Sequence, residues 1–221
     1  MASDSLPAFP LIRHFSRRLT PLLLRLPLSA NMVSILAMGC GLWSAWLLAT
    51  GGAADPVWAA AWLILYYILD HCDGEVARAK NQASKYGAAL DSFVDWLVHA
   101  LLFAALGYGH AMLTDQPWWL WLGLIAAGGA TINYMLALYF AHKDHSDSAD
   151  EDVEASEHVQ PQTLRMWFVF FFRELVRSDF CFLFFALAMF NGVWLLLPAA
   201  AIGAQVYWMM AFIREARSYH A

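Results

Sequence analysis

The sequence that decides this fold is Leu69–Ala100, LDHCDGEVARAKNQASKYGAALDSFVDWLVHA. It contains the end of one predicted helix and the start of the next. Asp70 and Asp73 are three residues apart and therefore share one face of the first helix. Asp91 and Asp95 are four residues apart and form one stripe along the second helix. Acids at a helix end that extend to water would explain the first pair but not the second. Four carboxylates on adjacent helices repel one another unless cations neutralise them, so the stretch predicts a metal or proton site.

The composition around this stretch is that of a membrane protein. Hydrophobic residues make up 61% of the 221 residues and charged residues only 14%, against roughly 45–50% and about 25% in a typical globular domain. These values exclude an ordinary soluble domain and a disordered chain. With 13 Lys and Arg and no long basic stripe, the chain also lacks the charge pattern of a nucleic-acid-binding protein.

Charge-free stretches on either side of Leu69–Ala100 locate the membrane spans, because a hydrocarbon core of about 30 Å needs roughly 20 apolar residues. The last such stretch is too long for one span and is divided at Asn191-Gly192, a strong turn dipeptide. The predicted fold is an all-α integral membrane protein with six transmembrane helices, near residues 32–50, 56–79, 84–114, 116–141, 164–190 and 193–214. Asp95 then lies about 16 Å along the third helix, where a charge costs at least about 2.5–3.5 kcal/mol.

Lys and Arg are confined to one side of this arrangement. Each lies near a terminus, around the loops after the second and fourth helices, or in the first half of the fifth helix. Because cytoplasmic loops carry the excess of positive charge, both termini and the acidic site are predicted to face the cytoplasm. Residues 31–217 form the predicted six-helix catalytic domain, with an acidic cytoplasmic loop at about residues 143–162.

Residues 1–30 precede the first span and are predicted to form an amphipathic helix in the membrane interface. Arginine side chains cluster opposite the apolar residues that recur at helical spacing, which are Leu11, Phe15, Leu19, Leu22 and Leu26. A cleavable signal peptide is the competing interpretation. Arg25 interrupts the apolar run, however, and no clear small-x-small cleavage site follows it.

The donor atoms of the acidic site favour a hard divalent cation. An all-carboxylate set suits Mg²⁺ or Mn²⁺. Zinc would draw on His71 and Cys72, which diverge by about 100° on a helix and have no second Cys/His pair nearby. Arg78 supplies a planar donor fork suited to phosphate, and Gly74 and Ala77 leave room beside the acids. Acids, metal, small residues and arginine together describe a site for a diphosphate.

The stretch resembles the signature of the CDP-alcohol phosphotransferase family, D-x2-D-G-x2-A-R-x8-G-x3-D-x3-D. The chain matches every fixed position of this signature, at Asp70, Asp73, Gly74, Ala77, Arg78, Gly87, Asp91 and Asp95. Family members typically begin their first span with Pro-Asn-x-x-Thr. Here Asn31 is kept, while Ala30 and Ser34 stand in place of the proline and the threonine. The six-helix layout and the amphipathic N-terminal segment also resemble the family.

This resemblance implies transfer of a substituted phosphate group from a CDP-alcohol to a second alcohol, with release of CMP. It implies that Asp95 is the general base that takes the proton of the acceptor hydroxyl. The ligands that it implies for two divalent metal ions are Asp70, Asp73, Asp91 and Asp95. The CDP contacts that it implies are Asn31, Asp70, Gly74, Arg78 and Gly87. It also implies a homodimer, and close helix contact is favoured by the small residues Gly123, Ala127 and Ala130.

The motif leaves the acceptor open. Arg173 and Arg177 are four residues apart and share a helical face, so they are candidate ligands for an acceptor phosphate. A Glu174–Arg177 pair that extends to the interface is the alternative interpretation. The favoured reaction joins CDP-diacylglycerol and a small polar alcohol in phospholipid biosynthesis.

Two other functions compete with this reading. The first is a transferase of the same family whose donor is a soluble CDP-alcohol instead of CDP-diacylglycerol. The second is not an enzyme but a carboxylate-lined ion or proton transporter. Transporters more often have repeated halves or interrupted helices, and the sequence shows neither.

Overall fold

The computed structural model describes residues 11–50, 56–147 and 179–218, and the side chains of these residues except 142–147 and 214–218. This part of the chain is helical and contains no strand. Its α-helices are α1 (Ile12–Leu24), α2 (Ala30–Ala49), α3 (Pro56–Ala79), α4 (Lys85–Thr114), α5 (Trp118–Asp147), α6 (Phe180–Met189) and α7 (Leu196–Ser218). A short 3-10 helix, Val193–Leu195, leads into α7.

Serine caps set the starts of the two helices that frame the site. At the start of α2, Ser29 Oγ accepts a hydrogen bond from the Met32 N–H at 3.3 Å. At the start of α4, Ser84 Oγ accepts one from the Gly87 N–H at 3.0 Å. Each cap satisfies a backbone donor that has no partner within its helix. The turn predicted between the last two spans is confirmed, with Asn191 in the left-handed region at a φ of 52°.

The helices pack side by side around α2, which contacts both α3 and α4, while α5 packs between α4 and α7. On the other side of the bundle, α3 contacts α1 and α6. α4 and α5 approach backbone to backbone at two glycines. A Cβ atom on Gly107 would lie 2.8 Å from the Trp119 carbonyl oxygen and 2.9 Å from Cα of Gly123. Gly123, one of the small residues noted in the sequence, therefore serves packing within this chain.

Four segments of the described residues are long and apolar enough to cross a membrane, namely Ala30–Ala49, Lys85–Thr114, Trp118–Ala141 and Val193–Ile213. The chain is thus an integral membrane protein, all-α in its described part. The second of the six predicted spans is helical in α3, but four charged residues among its last ten lower its mean hydropathy. Of the fifth predicted span, the structure describes only residues 179–190, which contain the 10-residue helix α6. Residues 164–178 and most of the acidic loop lie outside the described residues.

α1 has three distinct faces. The apolar stripe predicted from the sequence is mostly exposed, with Phe15 and Leu22 about half accessible, and the arginines are exposed as well. A third face is buried and is formed by Ile12, Ser16, Thr20 and Leu23. α1 packs against α3. An exposed apolar stripe beside exposed arginines is what a helix in the membrane interface requires, and that location stays a prediction.

Candidate active site

A pocket of about 200 Å³ opens between the start of α2, the end of α3 and the start of α4. Its wall contains Asn31, Gly74, Arg78 and Gly87, which are four of the five residues predicted to contact CDP. The fifth, Asp70, is not part of this wall. It lies in a group of carboxylates next to the pocket.

Three of the four predicted metal ligands come together in this group. Asp70, Asp73 and Asp91 each offer a carboxylate oxygen, and these oxygens all lie within 4.8 Å of one another. Asp73 is buried, Asp70 is half-buried and Asp91 is exposed, so the carboxylate cluster runs from the protein interior to the pocket. Asp73 is held in place by Ser34, whose hydroxyl donates to Oδ2 at 2.5 Å. Asp95 is not one of the three.

The chemistry of the carboxylate cluster fits a hard divalent cation. Two charged carboxylates at 4 Å repel each other by about 4 kcal/mol at an effective dielectric constant of 20, and a bound cation removes this repulsion. Oxygen ligands alone are the set that Mg²⁺ and Mn²⁺ prefer. The neighbouring zinc-type side chains have other partners: His71 Nδ1 donates to the Tyr67 carbonyl at 3.0 Å, and the buried Cys72 thiol lies 3.6 Å from the Ser16 carbonyl oxygen.

Asp95 lies one turn further along α4 than Asp91, and its side chain is 56% exposed. The hydroxyl of Tyr66 donates to its Oδ1 at 2.6 Å. Its backbone carbonyl accepts a hydrogen bond from Nδ1 of His99 at 2.7 Å. Tyr66 was not singled out from the sequence, although it precedes Asp70 by four residues and so lies on the same helical face.

Two glycines of the signature line the pocket beside polar side chains. A Cβ atom on Gly87 would lie 3.3 Å from Oδ1 of Asn31 and 3.3 Å from Oγ of Ser84, so it would press on both groups. A Cβ atom on Gly74 would lie 3.4 Å from Nη1 of Arg78, an ordinary van der Waals contact. The steric role in this pocket therefore belongs to Gly87.

Residues of the α3–α4 loop secure the start of α2, where Asn31 lies. The Ala30 N–H donates to Oε1 of Gln82 at 3.0 Å, and Nζ of Lys80 donates to the Leu28 carbonyl oxygen at 2.7 Å. A proline at position 30 has no N–H, so the Gln82 contact depends on the alanine that replaces it here. Gln82 also lines the pocket, and no spacing in the sequence indicates this loop residue.

Two acids, of which one is fully buried, fasten α1 to the bundle beside the pocket. Glu75 of α3 accepts hydrogen bonds from the hydroxyls of Ser16 at 2.8 Å and Thr20 at 2.5 Å. Asp179, which is fully buried, accepts hydrogen bonds from the backbone N–H groups of Leu11 at 2.9 Å and of the following residue at 3.1 Å. These contacts explain why the inner face of α1 carries serine and threonine.

The predicted acceptor ligands Arg173 and Arg177 lie outside the described residues. Asp179, from the same charged cluster of the sequence, is described and caps the start of α1.

Several bacterial proteins are similar to parts of this chain. It is 40% identical over 92 residues to the bifunctional IPC transferase and DIPP synthase of Rubrobacter xylanophilus, a match that spans 39% of this chain and 19% of that protein. It is 30% identical over 96 residues to the phosphatidylinositol phosphate synthase of Corynebacterium glutamicum, and this match spans 43% of either protein. The similarity therefore spans less than half the length of each of these two relatives.

Solved structures and a family profile match far more of the chain. Its fold is similar to the crystal structures of Mycobacterium tuberculosis phosphatidylinositol phosphate synthase in apo form (TM-score 0.52, 23% identity) and with CDP-DAG bound (TM-score 0.53, 22% identity). These matches cover 89% and 90% of this chain and 93% and 92% of those chains. The CDP-alcohol phosphatidyltransferase profile matches residues 27–194, which include the whole acidic stretch and most of the bundle. The chain therefore belongs to the CDP-alcohol phosphatidyltransferase family.

Proposed function

We propose that this protein transfers a substituted phosphate group from CDP-diacylglycerol to a small polar alcohol and releases CMP, as a step of phospholipid biosynthesis. The observation that carries the proposal is the pocket itself, in which Asn31, Arg78 and two glycines stand next to three clustered carboxylates. Membership of the family supports the reaction. The phosphatidylinositol phosphate synthase among the similar proteins, and the CDP-DAG bound in a structure of similar fold, support the donor.

On this proposal the pocket takes the cytidine diphosphate part of the donor. The guanidinium of Arg78 binds a phosphate group through its planar donor fork. Gly74 and Gly87 allow the diphosphate to approach the helix backbones, and the carboxamide of Asn31 contacts the nucleotide. The α3–α4 loop supports these contacts, because Gln82 binds the backbone N–H directly before Asn31.

Asp70, Asp73 and Asp91 are the proposed metal ligands, with Asp95 completing a site for two ions. When bound, Mg²⁺ or Mn²⁺ would supply positive charge that neutralises the diphosphate and the leaving oxygen of CMP. Ser34 orients the most buried of these carboxylates by its hydrogen bond to Asp73.

In the proposed reaction the acceptor hydroxyl oxygen attacks the phosphorus atom that carries the donor's alcohol. The bond from this phosphorus to the bridging oxygen breaks, and CMP leaves with the electron pair. Asp95 takes the proton of the attacking hydroxyl. Its position outside the carboxylate cluster and its exposed side chain suit a base that faces the second substrate.

The membrane arrangement is part of the same proposal. We place six spans across the membrane, α1 in the interface, and the pocket and both termini on the cytoplasmic side. Arg78, Lys80 and Lys85 support this orientation because they surround the pocket end of α3 and α4, whereas the turn between α4 and α5 contains no Lys or Arg. The proposed assembly is a homodimer.

For the acceptor, we propose that Arg173 and Arg177 bind a phosphate group on the polar alcohol. The support is their spacing, which puts two guanidinium groups on one face of a helix. Replacing either by alanine should raise the KM of a phosphorylated acceptor much more than that of the donor. An enzyme whose preferred acceptor carries no phosphate, or equal changes in both KM values, would exclude this role.

The test of the function is CMP release by the purified protein. CDP-diacylglycerol labelled in the cytidine is offered with glycerol 3-phosphate, serine, inositol, inositol phosphate or choline, in the presence of Mg²⁺. Acceptor-dependent release of labelled CMP supports the proposal, and Asp91→Asn should abolish it. Preference for a soluble CDP-alcohol would replace the donor that we propose. A folded protein that releases no CMP from any CDP-alcohol would refute the function.

A further inference from the structure

Tyr66 is buried against the base that the proposed function assigns. Its side chain is 0% exposed, and its hydroxyl crosses from α3 to α4 to donate to Oδ1 of Asp95 at 2.6 Å. The ring is held by two aromatic neighbours, with centroids 5.2 Å away at Tyr67 and 6.1 Å away at His99. Tyr66 is therefore a fixed donor, whereas the carboxylate that it holds is on a side chain more than half exposed.

Within the described part of the chain, the contacts of the Asp95 carboxylate with protein donors fall on Oδ1. His99 Nδ1 is 2.7 Å from the Asp95 backbone carbonyl oxygen, an atom that can only accept, so Nδ1 carries a proton. His99 Nε2 then accepts from the hydroxyl of Tyr67 at 2.8 Å. The hydroxyl of Tyr66 donates to Oδ1 of Asp95 at 2.6 Å, and His99 Nδ1 lies 3.4 Å from the same oxygen. Among the described residues, none donates a hydrogen bond to Oδ2.

A base needs a fixed orientation as well as a free oxygen. An exposed aspartate samples several rotamers, and a displacement of about 1 Å in a reacting group can reduce a rate about 100-fold. Tyr66 restricts the carboxylate by one short bond and leaves its second oxygen for the acceptor hydroxyl. Solvent does not reproduce this restraint, because water at the same oxygen is not fixed by a protein core.

We propose that Tyr66 is a positioning residue, which holds Oδ1 of Asp95 so that Oδ2 receives the proton of the acceptor hydroxyl. This inference rests on the proposed function, since it gives Tyr66 a part in proton removal from the second substrate. It assigns no such part to Tyr67, which lies on the same helix and whose hydroxyl binds the ring of His99 instead of the carboxylate.

The test is a double-mutant cycle on acceptor-dependent CMP release. A displacement of about 1 Å in a reacting group can reduce a rate about 100-fold, so Tyr66→Phe should lower kcat by about 10- to 100-fold through loss of orientation, with the KM of CDP-diacylglycerol within about threefold. In an Asp95→Asn background the same change should alter the residual rate by less than about twofold. Tyr67→Phe is the matched control, since it also removes one buried hydroxyl, and it should keep kcat within about twofold.

Each result has a definite reading. Loss of kcat in the wild-type background alone supports the positioning role. Equal losses in both backgrounds, or a loss as large in Tyr67→Phe, would show a general structural effect and overturn it. An unchanged kcat in Tyr66→Phe overturns it too. If the wild-type protein releases no CMP from any CDP-alcohol, the proposed function fails first and the role of Tyr66 with it.

Discussion

Replacing Gly123 by alanine should destabilise the packing of α4 against α5. A Cβ atom on Gly123 would lie 2.5 Å from the Phe103 carbonyl oxygen and 3.0 Å from Cα of Gly107. Both atoms belong to the backbone of α4, so no side-chain rotation relieves the clash. Ordinary contacts between such atoms are about 3.5 Å, and the two helices would have to separate by up to about 1 Å. Overpacking of this kind costs about 1–3 kcal/mol.

Gly128 provides a matched control on the same helix, because a Cβ atom there would meet nothing within 4 Å. Both substitutions remove a glycine from a helix interior, a gain of about 1 kcal/mol that cancels in the comparison. The difference between Gly123→Ala and Gly128→Ala is therefore the steric term alone. With about 2–4 °C per kcal/mol for a chain of this size, Gly123→Ala should melt about 2–12 °C lower than Gly128→Ala.

The assay is heating of both purified variants in one detergent at one rate, followed by the fluorescence of the 11 tryptophans. A common heating rate matters because unfolding of a membrane protein is often irreversible, and the apparent midpoint then depends on that rate. Equal midpoints for the two variants would show that α4 and α5 do not pack backbone to backbone, and a lower midpoint for Gly128→Ala would reverse the reasoning.

Three other predictions concern the site and its side of the membrane. Chelation of divalent cations should abolish CMP release, and Mg²⁺ or Mn²⁺ should restore it, because the clustered carboxylates need a counter-ion; full activity in excess chelator would contradict a metal role. Asp95→Asn should lose about 10²–10⁴-fold in kcat. Its affinity for the donor, measured by binding to the folded variants, should fall much less than that of Asp91→Asn. A near-normal kcat in Asp95→Asn would place the base elsewhere. Lys85 and Gln116 lie at opposite ends of α4. The variant Lys85→Cys should react with an impermeant thiol reagent only from the cytoplasmic side, and Gln116→Cys only from the outer side. The wild-type protein is the control for the native thiols. Labelling of Lys85→Cys from outside would reverse the proposed orientation.

The acids of the site could be located from the sequence because helix geometry puts each pair on one face. Spacings of three and four residues fix that face, and the short α3–α4 connection keeps the pocket ends of the two helices close although both pack against α2. Asp70, Asp73 and Asp91 indeed form one cluster. The same rule could have indicated Tyr66, which precedes Asp70 by four residues, but a tyrosine in an apolar helix resembles an ordinary core residue.

Contacts between distant segments could not be predicted in this way. Gln82 caps the start of α2 from a loop, and Ser16 and Thr20 face the half-buried Glu75, although hydroxyl residues in an amphipathic helix usually indicate its polar side. The count of six spans stays a prediction, because α3 has a polar end beside the pocket and residues 164–178 lie outside the described residues. Each of these features depends on which helices are neighbours, and a single sequence does not state that.

The cap on α1 has a consequence for biogenesis. The backbone donor at Leu11 and the carboxylate of Asp179 that binds it are separated by 168 positions in the chain. A ribosome that adds about 5–20 residues per second needs on the order of 10–30 s to cover that distance. During this time α1 has already left the ribosome, and its first turn lacks the partner that it has in the finished protein. Of the described helices, α1 is synthesised first, and its backbone cap can form only after Asp179 has been made.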